Sequence, residues 1–521
     1  MPVHCHFSEL SITFNDSVLF QQISGTLTQQ NQGLTGINGC GKSVLMSLLA
    51  LRLRPSTGTV DWQTPFFYVP QLTRLPGSTL ADALGIADVQ AAFQRVENGS
   101  ADVDDYDFLA DKWNEPHRWQ SLLDSTALGH LSLESPSAQL SGGEQTRLAL
   151  CRAFLQRDSF LLLDEPENHL DSAGRRWLIA QLQQHPSGSL SVSHDRQLLN
   201  EMQRICELSS GGLMEYGGNY SDYALQKERQ LNALRSEEKQ LQSDLRKEKE
   251  ELQRTLEKKA QRCRQGDRVR SSGSQSLLLL DMKKNKAEKQ QSKITQRHER
   301  VMDRLDTQRR TVNERIERIT PQMLEFPYTD EQKRVRVNCQ GLILPFGSTQ
   351  PHSLTISGGE HWQIAGRNGS GKSTLLKVLT GQLVAASGNY SLHGRWRYLD
   401  QHLSLLNSAL PVVDALCEFD PLIPAENWRT RLGALRIRGD KSLIPLGQLS
   451  GGEQLKVMLL ALTCSSPLPD ILLLDEPDNH LDLESRQLLE GVLKSYKGAL
   501  LLVSHDEEFV KNCGVTQTLE L

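Results

Sequence analysis

Short β-like runs recur through the first 223 residues, SITF, FFYVP, FLLLD and SLSVS, alternating with stretches that suit helices. That alternation predicts an α/β fold, a largely parallel sheet with helices packed around it. The pattern resumes near residue 330 and runs to residue 521. Between the halves it gives way to a different one. Leu231, Leu234, Leu241, Leu245, Leu252 and Leu256 form a narrow stripe on charged sequence, and Ile294, Val301, Leu305, Val312, Ile316 and Ile319 form a second. Steps of 3, 4 and 7 are the spacing of a coiled-coil seam. Gly266 and the SSGS run at Ser271 to Ser274 are expected to break the helix between the stripes, and Pro321 to end it. The prediction is an antiparallel helical hairpin whose ~40-residue legs each reach ~60 Å. Three segments result: an α/β domain at 1–223, the hairpin at 224–320 and a second α/β domain at 321–521.

One set of short motifs occurs in both α/β halves, in the same order. The first copy reads GINGCGKS (Gly36 to Ser43), YVPQ ending at Gln71, LSGGEQ (Leu140 to Gln145), FLLLDEP (Phe160 to Pro166), NHLD (Asn168 to Asp171) and SVSHD ending at Asp195. The second reads GRNGSGKS (Gly366 to Ser373), YLDQ ending at Gln401, LSGGEQ (Leu449 to Gln454), ILLLDEP (Ile471 to Pro477), NHLD (Asn479 to Asp482) and LVSHD ending at Asp506. A G-x-x-x-x-G-K-[ST] loop wraps nucleotide phosphates with backbone N–H groups at a helix N-terminus. The expected contacts are Gly36, Asn38, Gly39, Cys40, Gly41, Lys42, Ser43 and Val44 in one copy. In the other they are Gly366, Asn368, Gly369, Ser370, Gly371, Lys372, Ser373 and Thr374. Lys42 and Lys372 would reach the β/γ-phosphates, and Ser43 and Ser373 would ligate Mg²⁺. Two ordered sets make a chance match negligible and imply two ATP sites in one polypeptide.

Asp164 and Asp475 end apolar runs, where a carboxylate can hold Mg²⁺. Glu165 and Glu476 follow and suit polarising the water that attacks the γ-phosphate. Gln71 and Gln401 fit sensing Mg²⁺ and that water; His194 and His505 fit a γ-phosphate contact. In LSGGEQ, Ser141, Gly142, Gly143 and Glu144, and likewise Ser450, Gly451, Gly452 and Glu453, precede a helix and can present donors to a second phosphate group. One loop cannot easily surround ATP, so each site is expected to need both halves. Phe14 and Phe346 suit either stacking on adenine or core packing. Cys40, at a helix N-terminus, is expected either to have a lowered pKa and be shielded by ATP, or to be an ordinary small filler.

Composition narrows the classes. Hydrophobic residues are 38% and charged residues 23% of 521, typical of a globular chain with a long polar element. No apolar run approaches the ~18–20 residues that span a bilayer, and the start lacks the basic and apolar regions of a signal peptide. Nine dispersed cysteines without C-x-x-C suit reduced thiols in the cytosol. The net charge of −5 hides an asymmetry: residues 224–320 hold 26 Lys+Arg against 16 Asp+Glu, a net of +10, which leaves −15 on the rest. From Lys258 to Lys293 eleven basic residues face three acids, beside Leu277 to Leu280. That segment suits a polyanion.

The ordered motifs resemble the nucleotide-binding domains of ATP-binding-cassette (ABC) proteins over both halves. The resemblance implies two tandem P-loop domains, each a RecA-like core plus a helical subdomain carrying LSGGEQ, paired head to tail. Site one would combine Gly36–Ser43, Gln71, Asp164, Glu165 and His194 with Ser450 to Glu453; site two, Gly366–Ser373, Gln401, Asp475, Glu476 and His505 with Ser141 to Glu144. Within that superfamily the chain looks like the ABC-F group, by its tandem cassettes, its EP-x-NHLD strings and YGGNYSDY (Tyr216 to Tyr223) leading into a charged helical linker. The resemblance implies a cytoplasmic, monomeric ATPase using ATP and Mg²⁺. It would bind the ribosome at the tRNA exit site, with its hairpin reaching rRNA, the P-site tRNA and the peptidyl transferase centre, as antibiotic-resistance members do; no transmembrane partner is expected. Two departures stand out. EPEN and EPDN carry Glu167 and Asp478 where the family usually has threonine, and the step from Gln71 to Leu140 exceeds that from Gln401 to Leu449 by 21 residues, room for a small arm. The competing readings are the tandem-cassette subunit of a membrane importer and an ATPase of DNA maintenance.

Overall fold

The computed structural model describes all residues except 1, 15–16, 72–74, 76, 127, 169, 210, 272–276, 321, 328–332, 402–403 and 480. The side chains of 14, 17, 259, 262–263, 265–294 and 318–319 also fall outside the described set. The expectations for Phe14, for Ile294 and Ile319, for Pro321, and for most of the basic bend with its four leucines therefore lie outside it. The chain forms two compact units, one of Met1–Tyr223 with Pro321–Leu521 and one of Ala224–Thr320.

In the first unit each cassette is built on a parallel sheet. One has the strand order Phe66–Val69, Phe160–Asp164, Ser189–Val192, Asn31–Thr35, Arg204–Ser209, Gly212–Gly217, parallel except for the last pair. The other runs Trp396–Leu399, Ile471–Asp475, Ala499–Val503, His361–Ala365, Gln517–Glu520, parallel throughout. All five residues of FLLLD and of ILLLD are buried, as helices on both faces require. Beside each lies a three-stranded antiparallel sheet, Ser17–Thr28, Val3–Phe14, Thr57–Trp62 in one cassette and His352–Ser357, Val335–Ile343, Ser387–Leu392 in the other. SITF belongs to this antiparallel layer, not to the parallel sheet. The longer first cassette spends its extra residues on the helices Ala87–Glu97 and Val103–Leu109, tied by Arg95 and Asp105.

The second unit consists of helical legs. The first helix, Tyr220–Ser271, runs unbroken through Gly266, which is therefore not the break the sequence suggested; the second is Leu277–Ile319. One glycine costs a helix only ~1 kcal/mol, small against a 52-residue run. His298 Nδ1 lies 2.6 Å from Glu248 Oε1, joining the legs. Leu231, Leu245 and Val312 are buried, whereas Leu256 is exposed. At its root the helix is held in the first cassette by Tyr220 and Tyr223, which pack with Tyr216 in one apolar cluster. No helix among the described residues is long and apolar enough to cross a membrane.

The cassettes meet through charge as well as apolar contact. Arg196 donates to Glu490 of the other cassette at 2.8 and 3.2 Å, and both side chains are nearly buried. Removing one partner of a buried pair strands the other. Arg196→Ala is expected to destabilise the paired cassettes by about 3–5 kcal/mol, read as a lower urea midpoint, with Arg196→Lys recovering part of the loss.

Candidate active site

Each phosphate loop leaves the C-terminal end of a central strand, Asn31–Thr35 or His361–Ala365, and enters a helix, Lys42–Leu49 or Lys372–Leu379. Gly36 has φ 148°, and a Cβ there would stand 2.3 Å from the Leu208 carbonyl oxygen, so only glycine fits. Lys42 Nζ donates to the Gly36 carbonyl at 2.8 Å and to Asn38 Oδ1 at 3.3 Å; Lys372 Nζ donates to the Gly366 and Arg367 carbonyls at 2.9 and 3.0 Å. Burial lowers both ammonium pKa values, and the loop carbonyls take the place of water around the charge.

Asp164 and Asp475 stand at the tips of their strands, facing the serines of the phosphate loops. Ser373 Oγ donates to Asp475 Oδ1 at 3.1 Å, and Ser43 hydrogen-bonds Asp164. Burial raises Asp164 to about 6 and raises Asp475 as well. Among the described residues, Asp164 Oδ1 is buried without a hydrogen-bond partner. A hydroxyl and a carboxylate with a spare oxygen make a hard-oxygen donor set that fits Mg²⁺. Ser43 with Asp164, and Ser373 with Asp475, would hold the ion, which would supply positive charge against the phosphates.

The residues that follow are held more tightly. Glu165 and Glu476 occupy left-handed backbone, φ 51° and 48°, a strained conformation for glutamate. Two amides pin each carboxylate: Gln71 Nε2 and Asn168 Nδ2 donate to Glu165 Oε2 at 2.5 and 2.7 Å, and Gln401 Nε2 and Asn479 Nδ2 to Glu476 Oε2 at 2.9 and 2.6 Å. Those two amides fix where each carboxylate points, the positioning a general base requires. Burial lowers His194 to about 3 and lowers His505 too. His505 Nε2 lies 3.7 Å from Glu476 Oε1.

Both cassettes build each site. A cavity of about 500 Å³ is walled by Asn368, Gly369, Gly371, Lys372, Ser373, Thr374, Gln401, Glu476 and His505 of one cassette and by Gly142, Gly143 and Arg175 of the other. At the opposite site a Cβ on Gly452 would come within 4.0 Å of Asn38 Nδ2. The Asn38 backbone N–H donates to Asp482 Oδ2 at 2.8 Å, and Ser172 Oγ donates to the His505 carbonyl at 3.2 Å, so the residues at and after NHLD reach across in both directions. Ser141 and Ser450 cap their own helices: their hydroxyls donate to Glu144 and Glu453 at 2.7 and 2.9 Å.

Three expectations change. The lowered pKa entertained for Cys40 does not hold: burial raises it, outweighing Lys42 and the backbone N–H groups, and Cys40 packs against the apolar core. Val44 likewise packs on that core, whereas Thr374 faces the cavity. Phe346 is 67% exposed at the cavity wall, which removes core packing as its role. Sequence reasoning gave no role to Asn168, Asn479, Arg175 or Arg486. Their equivalent positions in the two copies, Asn within NHLD and Arg four residues beyond its Asp, were the available signal. Asn168→Ala or Asn479→Ala deletes one charge-assisted hydrogen bond of ~1.5–3 kcal/mol. It is expected to lower kcat by about ten- to a hundredfold with KM for ATP little changed, in steady-state phosphate release. Cys40 is expected to alkylate more slowly than free cysteine near neutral pH, by mass-spectrometric labelling.

A family model described as "ABC transporter" matches residues 20–168 and 349–479, and a second of the same description matches 206–270. The chain is 30% identical to mouse ATP-binding cassette sub-family F member 3, over 96% of this chain and 69% of that protein. It is 32% identical to ATP-binding protein Uup of Escherichia coli (strain K12), over 92% of this chain and 74% of the relative. Among solved structures, the complex of archaeal ribosomal stalk protein aP1 with archaeal ribosome recycling factor aABCE1 matches with a TM-score of 0.54 at 18% identity, covering 98% of this chain and 87% of that one, and shares the tandem-cassette fold. With both motif sets assembled into two sites and relatives matched along nearly its whole length, the chain belongs to the ABC-F subfamily of ATP-binding-cassette ATPases.

Proposed function

We propose that this protein is an ATP-gated, cytoplasmic ribosome-binding factor, acting as a monomer with cassettes at 1–223 and 321–521 and a ribosome-contacting linker at 224–320. The observation that carries the reading is the shared cavity. Because one cassette's phosphate loop and the other's Gly142–Gly143 wall the same space, a triphosphate there bridges them and favours pairing. ATP and Mg²⁺ at both sites hold the cassettes paired, and hydrolysis, with Glu165 and Glu476 as bases, lets them part. The +10 linker supplies a surface for rRNA and P-site tRNA, since RNA affinity depends on Lys and Arg neutralising phosphates. The archaeal protein that shares the tandem-cassette fold is a ribosome recycling factor, in keeping with a ribosomal partner. Binding at the tRNA exit site, with the apolar run Leu277 to Leu280 near the peptidyl transferase centre, suits protection of ribosomes against antibiotics.

The test is a double variant, Glu165→Gln with Glu476→Gln. It is expected to bind ATP, to lose ~10²–10⁴-fold in kcat, and to pellet with ribosomes through a sucrose cushion when ATP is present, while wild type is released. Release of the double variant as readily as wild type overturns the gating, and recovery with membranes supports the importer reading instead.

A further inference from the structure

The strand that leads to Gln71, Phe66–Val69, and the one that leads to Gln401, Trp396–Leu399, each carry a tyrosine at the third position, Tyr68 and Tyr398. Each pairs in parallel with the strand that ends in the cassette's aspartate, and the register is the same in both. Tyr68 lies opposite Leu162 and Tyr398 opposite Leu473, two residues short of Asp164 and Asp475. Residues two apart on a strand share a face, so the backbone offers each tyrosine to its aspartate. The side chains respond differently. The Tyr398 hydroxyl donates to Asp475 Oδ2 at 3.2 Å, while Ser373 Oγ donates to Oδ1 at 3.1 Å. Among the described residues Tyr68 makes no such bond to Asp164. Its hydroxyl pairs with Ser47, its ring lies 4.8 Å from the Arg52 guanidinium, and Asp164 Oδ1 is left buried without a partner.

The difference traces to the residues after each phosphate loop. Five positions beyond Lys42 stands Ser47, and five beyond Lys372 stands Lys377; ten positions beyond stand Arg52 and Gln382. Ser47 meets the Tyr68 hydroxyl, and Arg52 holds the ring by a cation–π contact. Lys377 is a cation without an acceptor and cannot take the Tyr398 proton. Gln382 brings no charge to the ring. The Tyr398 hydroxyl therefore goes to Asp475. A carboxylate has about four lone-pair sites, so Asp475 can accept two hydroxyls and still offer a lone pair to a metal.

We propose that Tyr398 is a positioning residue for site two: its hydroxyl fixes the direction of Asp475 and so strengthens Mg²⁺ there, whereas Asp164 lacks that support and site one holds the ion more weakly. This rests on the reading of Asp164 and Asp475 as Mg²⁺ ligands, and not on what the hairpin binds. A carboxylate held at one oxygen can turn about its Cβ–Cγ bond, and one held at both cannot. Asp475 thus gives up less freedom on taking the ion than Asp164 does. Hydrogen bonds to a ligating carboxylate from groups that do not touch the metal are typically worth ~10–100-fold in metal affinity. Two sites alike in motif are thereby unlike in their demand for Mg²⁺.

The experiment measures the affinity of the full chain for a fluorescent ATP analogue, with Mg²⁺ and with EDTA, in the slow Glu165→Gln, Glu476→Gln background. Adding Lys42→Ala leaves site two to be read, and adding Lys372→Ala leaves site one. The gain in affinity on supplying Mg²⁺ is expected to be larger at site two. Tyr398→Phe removes only the hydroxyl and is expected to cut that gain about tenfold while binding in EDTA stays the same. Tyr68→Phe is expected to leave both values at site one unchanged. Ser47→Ala, which frees the Tyr68 hydroxyl to turn to Asp164, is expected to raise the gain at site one, and Tyr68→Phe added to it to cancel the rise. A merely structural role for Tyr398 would weaken binding in EDTA as much as with Mg²⁺. An unchanged gain in Tyr398→Phe overturns the proposal. So does an equal loss of binding in both conditions, or a loss at site one in Tyr68→Phe as large as that at site two in Tyr398→Phe. Binding indifferent to Mg²⁺ at both sites with the tyrosines intact instead overturns the reading of the two aspartates on which the proposal rests.

Discussion

The reciprocal grip of each cassette on the other's nucleotide loops governs the rest of the molecule. Asp482 accepts the backbone N–H of Asn38, and Ser172 donates to the carbonyl of His505. Both contacts end on backbone groups of loops that handle phosphate, so neither cassette can shift without moving the other's site. A backbone N–H turned toward an aspartate is also one of the donors a phosphate loop offers to an anion. The seam and the substrate therefore draw on the same groups.

Within that frame Glu165 and Glu476 are each held from two sides. A left-handed φ at glutamate costs of order 1–3 kcal/mol, and it persists because neighbours on both sides hold the side chain. The amide of Gln71 or Gln401 arrives from the end of one strand, and that of Asn168 or Asn479 from three residues ahead. The sharp turn lets the aspartate and glutamate of one strand tip diverge, the first toward the serine and the second toward the amides. Two adjacent carboxylates thereby meet different partners, a serine hydroxyl for one and a pair of amides for the other.

Much of this was legible in the sequence because the chemistry is local. FLLLD and ILLLD announce buried strands ending in paired acids, and the glycine loops announce close backbone approach. What was not legible depends on contacts distant along the chain. Asn31–Thr35, the strand that launches the first phosphate loop, reads NQGLT; its buried Gln32 and Thr35 hide it from any apolar count. SITF has the look of a parallel strand but pairs antiparallel, a matter of tertiary partnering rather than propensity. The thiol of Cys40 was judged from its helix N-terminus, whereas burial against the core decides its pKa. Arg175 and Arg486 look like ordinary surface cations of two helices, whereas each is paired with a carboxyl group distant along its own cassette, Asp195 and Asp506.

The two sites have the same reacting groups and unlike surroundings. Glu453, which caps the second signature helix, also binds Lys441 Nζ at 2.6 Å, while Glu144 in the first faces Arg147 and His130. The first phosphate loop carries Cys40 where the second has Ser370. The first cassette roots the long helix, through Tyr216, Tyr220 and Tyr223. Equal motifs in unequal surroundings mean that one substitution made at both sites is not the same perturbation twice.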